Sequence, residues 1–210
     1  AFRYDGTNLA ACMDDGWSVK VKLASPRCLD GAWLRLPDYG DANDGKPDET
    51  CITLDELGVK TVDKCTLLEA QCILPHVGNL MEQYDRPSDL IYDGQNLGFV
   101  LDEHGQGKAH FMELYTGALE YEGCTSLAEA LDIAENLNRY ELVPVSTLRE
   151  YAEKELVNQG IVLPPGVANS FKYEEYAVNL LENHGFFLTD SESAYIGKNQ
   201  SQQFGDMSME

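Results

Sequence analysis

The sequence predicts an α+β protein built of small domains in series, and three observations carry that expectation. Trp17 to Leu23 and Ala32 to Leu36 alternate apolar and polar residues, the period of a half-buried strand. After Pro75 the apolar positions recur at helical spacing, as on an amphipathic helix. The last third then places short extended segments after helices that stop at glycines. The expected boundaries are an N-terminal α+β domain over 1–75, a mainly helical middle domain over 76–144 and a C-terminal α+β domain over 145–197. A mobile polar tail is expected over 198–210.

Each element has its own signal. Pro37 stops the second strand, and DYGDANDGKPDE from Asp38 to Glu49 is a polar loop, rich in turn residues. Thr53-Leu-Asp-Glu56 has the form of a capping box and Gly58 that of a C-cap, predicting a short helix between them. Cys65 to Leu74 is apolar enough for a third strand. In the middle, Val77 to Tyr84 predicts a short helix broken by Arg86-Pro87, and Leu97–His104 and Ala109–Tyr121 predict two more. Ser126 with Glu129 opens another, whose stripe is Leu127, Ala130, Leu131, Ala134 and Leu137 and which ends before Pro144. Glu150-Tyr-Ala152 and Glu175-Tyr-Ala177 are each followed at equal spacing by Leu, Asn, Gly and Leu. Both an internal repeat and two helices sharing a stop signal fit that pattern.

Charge is the informative part of the composition. The 210 residues carry 36 Asp and Glu against 15 Lys and Arg, a net of -21, whereas solubility asks for a magnitude of about 2–8 in a small domain. The surplus is uniform: residues 1–105 hold 19 acids and 9 bases, residues 106–210 hold 17 and 6. Such a surface repels nucleic acid and attracts basic partners, although acidic cytosolic proteins are common. A basic groove for direct nucleic-acid binding is excluded by sign. No apolar run approaches the roughly 18 residues of a membrane span, and no basic region precedes an apolar one in the manner of a signal peptide. A cytoplasmic location with six reduced cysteines, Cys12, Cys28, Cys51, Cys65, Cys72 and Cys124, is therefore expected.

The motifs of catalysis and metal binding fail one by one. An EF-type frame from Asp41 puts Gly45 where the third oxygen ligand belongs. His104, His110 and Glu113 lack a further ligand at a recognisable spacing, and His76 and His184 stand alone in the sequence. Gly105-Gln-Gly107-Lys108 lacks P-loop spacing, and there is no GxSxG elbow. Paired carboxylates carry no glycosidase signal in a chain this acidic. The expectation is a binding protein without cofactor or metal, not an enzyme.

Several segments together resemble the ArdA-type antirestriction proteins, in particular the long forms from mobile elements such as conjugative transposons of Gram-positive gut bacteria. They are Val19–Leu23 with Ala32-Trp-Leu-Arg-Leu-Pro37, then Thr53-Leu-Asp-Glu-Leu-Gly58, Asn96-Leu-Gly98 and the run from Leu119 to Tyr140. Leu148-Arg-Glu-Tyr151, Phe171-Lys-Tyr-Glu-Glu-Tyr176 with Leu180-Leu181, Phe187-Leu-Thr189 and Tyr195-Ile196 complete them. The centre departs most, with Gln95-Asn-Leu-Gly-Phe99 in place of the family's Leu-Asn-x-Leu-Ala helix start.

The resemblance implies an elongated α+β protein of small domains in series, an acidic DNA mimic, often a homodimer, that occupies the DNA groove of type I restriction–modification enzymes. Charge is compatible with it, since 21 net charges match the phosphates of about ten base pairs. The acids nominated for the partner are Glu113, Glu120, Glu122, Glu129, Asp132, Glu135, Glu150, Glu153 and Glu155. Of these, Glu129, Asp132 and Glu135 are expected on one exposed helix face opposite the leucine stripe. The alternative is an accessory adaptor of a mobile element that binds its partner through an apolar surface; a third reading, a hydrolase, would need a pocket with perturbed carboxylates.

Overall fold

A computed structural model of the chain describes residues 16–38, 48–105 and 108–199. The fold is α+β: two three-stranded antiparallel sheets with helices around them. The chain divides into two compact units, Ala1–Met112 with Gly123–Glu135, and Glu113–Glu122 with Asn136–Glu210. The expected domain boundary at 144 falls at the end of a strand, Tyr140–Pro144.

In the first unit, β1 (Val19–Ser25) is the middle strand between β2 (Cys28–Leu36) and β3 (Thr66–Cys72). The register sets Val19 opposite Leu36 and Cys72, and Val21 opposite Leu34 and Ala70. Period two therefore gathers Val19, Val21, Leu34 and Leu36 on one fully buried face. Helix α1 (Glu49–Leu57) flanks β2, helix α2 (Leu80–Gln83) is a single turn, and α3 (Pro87–Gly105) covers the buried face. α3 comes close because two of its residues are glycine. A Cβ on Gly94 would lie 2.7 Å from Leu36 Cδ1 and 3.0 Å from Val19 Cβ, and one on Gly98 would overlap the Pro37 ring. Ser18 spans the gap, its hydroxyl donating to the carbonyls of Leu36 (3.1 Å) and Gly94 (3.2 Å). Helix α5 (Leu127–Ala134) packs on α3 with Leu127, Ala130 and Ala134 buried.

The second unit is built from most of α4 (Phe111–Glu122), α6 (Leu148–Asn158), the short α7 (Pro165–Ala168), α8 (Tyr173–Asn183) and a second sheet. In that sheet β6 (Ala194–Lys198) lies between β4 (Tyr140–Pro144) and β5 (Phe187–Leu188). α6 and α8 pack together over Val143, Phe186 and Tyr195, with Ala152, Leu156, Ala177 and Leu181 between them. Both helices end alike. Gly160 (φ 70°) and Gly185 (φ 81°) are left-handed, and the next amides, Ile161 and Phe186, donate to Leu156 and Leu181 at 2.9 Å each, closing Schellman turns. The two sequence copies thus share helix and stop signal. Only the second continues into a strand, β5, while 161–164 has no regular structure.

Four expectations need correction. α1 starts at Glu49, capped by Asp48, whose Oδ1 accepts from the amides of Thr50 (2.8 Å) and Cys51 (3.2 Å). Thr53 is no cap: it is buried in mid-helix and donates to the Trp33 carbonyl at 3.2 Å. The helix expected at 97–104 begins ten residues earlier, because Pro87 opens it, proline being well suited to a first turn. The helix from Ser126 ends at Ala134, and Tyr140–Pro144 is a strand that the sequence reading missed. Gly58 does cap α1, with φ 65°. The 39–47 stretch that bears on the calcium frame, Cys12 and the tail from 200 lie outside the described residues.

Candidate functional site

Eight of the nine nominated acids fall on three helices, and the ninth, Glu135, caps one of them. Glu129, Asp132 and Glu135 belong to the first unit; Glu113, Glu120 and Glu122 on α4 and Glu150, Glu153 and Glu155 on α6 belong to the second. Glu120 and Glu155 are half-buried and the other seven exposed.

On α5 the sequence explains the geometry directly. The Ser126 hydroxyl accepts from the Glu129 amide at 3.2 Å, and Glu129 reaches back to accept from the Thr125 amide at 2.9 Å. The serine side is the N-cap bond of a capping box, while the glutamate reaches one residue further back than that box requires, and Glu129 serves its own helix start. Asp132 follows one turn on and is exposed. Glu135 is the C-cap residue rather than a helical one, and Leu131 is only half-buried. A carboxylate at a helix C-terminus faces the negative end of the helix dipole. Local stability does not account for Glu135 there.

On α4 and α6 several acids are already engaged. Glu122 Oε1 accepts from the Tyr140 hydroxyl and from Lys198 Nζ, both at 2.5 Å. The hydrogen bonds from Lys198 and Tyr140 hold its carboxyl below the usual range. Lys198 also lies over the rings of Tyr140 (4.2 Å) and Tyr121 (5.3 Å), and Tyr121 stacks on Phe187. This clamp ties α4 to β4, β5 and β6. Glu120 accepts from the Asp190 amide at 2.9 Å. Glu153 pairs with Arg149 at 3.1 Å and Glu155 accepts from Asn158 at 3.4 Å. Glu150 sits in the first turn of α6, where the dipole favours it.

Sequence reasoning missed two features. Glu141 on β4 is half-buried, and its carboxyl is pushed up by desolvation, with Glu155 adding to the rise and Lys154 opposing it. On the open face of the first sheet, Lys20 lies across from Arg35, and Lys22 across from Trp33. Lys20 Nζ is 4.7 Å from the Trp17 ring and 5.0 Å from the Trp33 ring. Cations of an acidic chain thus collect on one sheet face, a signal readable only from strand register. His110 and Glu113 do not form a helical pair, because His110 sits in a turn before α4 with φ 60°. Cys28, Cys51, Cys65, Cys72 and Cys124 are free thiols.

The site is therefore a set of acidic helix surfaces, part exposed and part committed to holding the fold. Comparison of the chain with protein-family models, with curated proteins and with solved structures finds no match. No helix among the described residues is long and apolar enough to cross a membrane.

Proposed function

We propose that this chain is a cytoplasmic DNA-mimic antirestriction protein of the ArdA type, which binds type I restriction–modification enzymes in place of DNA and is not itself an enzyme. The observation that carries the reading is the charge and its distribution. The first unit holds 22 acids against 10 bases, net -12, and the second 14 against 5, net -9. Acids outnumber bases in both units, and Asp132, Glu135 and Glu150 are exposed on or beside helices. Carboxylates fixed on rigid helices can hold a phosphate-like spacing, and their capture by a basic groove releases counterions as DNA does.

The test is competition. The protein should displace duplex DNA from a type I restriction enzyme, less well as salt rises. The Asp132→Asn, Glu135→Gln, Glu150→Gln variant should keep its stability within about 0.5 kcal/mol and compete about tenfold less well, three lost contacts at a few tenths of a kcal/mol each. A wild type that neither competes with DNA nor blocks restriction across a panel of type I enzymes rejects the reading.

One observation favours the adaptor instead. Residues 156–171 contain no charged side chain, and Val157 (75%), Val162 (90%) and Val167 (47%) are exposed within them. An exposed apolar patch marks a contact surface. Replacing Val157 and Val162 by Ser should abolish partner capture under the adaptor reading and leave competition with DNA unchanged under mimicry.

A further inference from the structure

We infer that the open face of the first sheet docks an acidic segment of a partner protein, held extended, with carboxylates at alternate positions. α3 covers the other face of this sheet. On the open one the register sets Lys20 across from Arg35 and Lys22 across from Trp33, with Gln71 and Glu69 on the third strand. The face thus holds three bases against one acid, in a chain whose acids outnumber its bases 36 to 15. Among the described residues none of the three bases has a carboxylate partner, and Glu69 accepts instead from Gln71 Nε2 at 2.6 Å. The surface is opposite in sign to the one proposed for the restriction enzyme, and its partner is a different protein.

Charge, position and spacing select the occupant. Lys20 Nζ lies 4.7 Å from the Trp17 ring and 5.0 Å from the Trp33 ring. Cation–π attraction therefore holds it on the face before a ligand arrives, and little side-chain freedom is lost on binding. Arg35 is exposed and offers a carboxylate two parallel donors. Lys22 stands two residues along β1, about 7 Å from Lys20. Side chains at i and i+2 of an extended segment share a side and repeat at the same distance. Two such carboxylates reach the Lys20–Arg35 row and Lys22 together. Acids bound the face on both sides: Glu69 stands one strand from β1, about 4.8 Å, and Glu49 and Glu56 line the cleft between β2 and α1 with Arg35. The occupant must run along β1, since a helix, about 10–12 Å across, would also lie over Glu69. More distant acids matter less, because physiological salt screens charges beyond about 8 Å. A nucleic acid strand would carry its phosphates past three cations into the acids around them, whereas two carboxylates end where the cations do.

The test titrates the full chain with acetyl-Ala-Glu-Ala-Glu-Ala-amide and with acetyl-Ala-Ala-Glu-Glu-Ala-amide, whose adjacent acids point to opposite sides when extended. Both peptides carry the same charge, so the chain's overall field acts on them equally. Trp17 and Trp33 are the chain's two tryptophans, and their intrinsic fluorescence reports occupancy. The alternating peptide should saturate and bind about tenfold more tightly than its isomer, the worth of one charge-assisted hydrogen bond. Lys22→Gln should remove that preference and Lys22→Arg should keep it. Lys60→Gln, the same loss of charge at an exposed position off the sheet, should leave it intact. Equal binding of the two peptides, no saturation, or a preference that survives Lys22→Gln overturns the inference. So does a thymidine oligonucleotide that binds more tightly than the alternating peptide, since the occupant would then be single-stranded nucleic acid. None of these outcomes depends on competition with duplex DNA, so the face and the mimicry stand or fall separately.

Discussion

The two units solve the problem of attaching a long helix to a small sheet in different ways. In the first, α3 comes so close at Gly94 and Gly98 that an added Cβ would run into the Leu36 and Val19 side chains and the Pro37 ring, and Ser18 hydrogen-bonds across the contact. In the second, α4 sits less close: a Cβ on Gly117 would lie 3.2 Å from Ile196 Cγ1, tight but short of overlap, and the Glu122–Lys198–Tyr140 clamp makes the polar link. The difference bears on function, because a carboxylate that holds the fold is screened from a partner. The first unit builds its core with glycine and serine, leaving Asp132 and Glu135 at its surface. The second spends part of its acidity on itself, through Glu120, Glu122 and Glu153.

Replacing glycines tests this contrast with the largest effect. Gly94→Ala should cost about 1–3 kcal/mol, because the new methyl overlaps Leu36 and Val19 in a packed interior. Gly117→Ala places its Cβ 3.2 Å from Ile196 Cγ1, a contact the side chain can relieve by moving slightly, and gains up to about 1 kcal/mol of helix propensity. Denaturant melts of the two variants should therefore differ in midpoint by an easily measured amount. Equal losses would mean that both helices sit equally close.

Next comes the clamp. Glu122→Gln should lower stability at neutral pH by about 1 kcal/mol, modest because the group is partly exposed. Its folded carboxyl titrates below the ordinary value of 4.5. The contribution is therefore complete above pH 4.5 and fades as pH falls below it, through the depressed folded value. Wild-type and variant stabilities should converge in acid. A constant difference across that range would show that the clamp acts by packing rather than charge.

Glu141 carries the smallest effect and the opposite sign. Burial raises its folded carboxyl, so the folded state binds the proton more tightly and this group lowers stability at neutral pH. Glu141→Gln should stabilise the protein by a few tenths of a kcal/mol at pH 7, since the residue is only half-buried. The gain should vanish as the pH drops below the ordinary carboxylate range. A loss of stability at pH 7 would reveal an uncounted favourable contact.

The sequence by itself determined what depends on near neighbours in the chain. Alternation at Val19, Val21 and Leu23 set the first strand, Gly58, Gly160 and Gly185 set helix ends, and Ser126 with Glu129 set the start of α5, since each acts within about one turn or one pleat. Net charge was equally legible. Tertiary structure decided the rest. Pro87 and Gly94 read locally as breakers, yet α3 opens at the first and continues through the second, because proline suits a first turn and the sheet leaves no room for a side chain at Gly94. Thr53 matches a capping box but is claimed by the Trp33 carbonyl. Only the fold could tell which acids bind their own chain, as Glu122 and Glu129 do, because a carboxylate's partners can lie many residues away. Lys198 is 76 residues from Glu122, a distance that no local pattern reports.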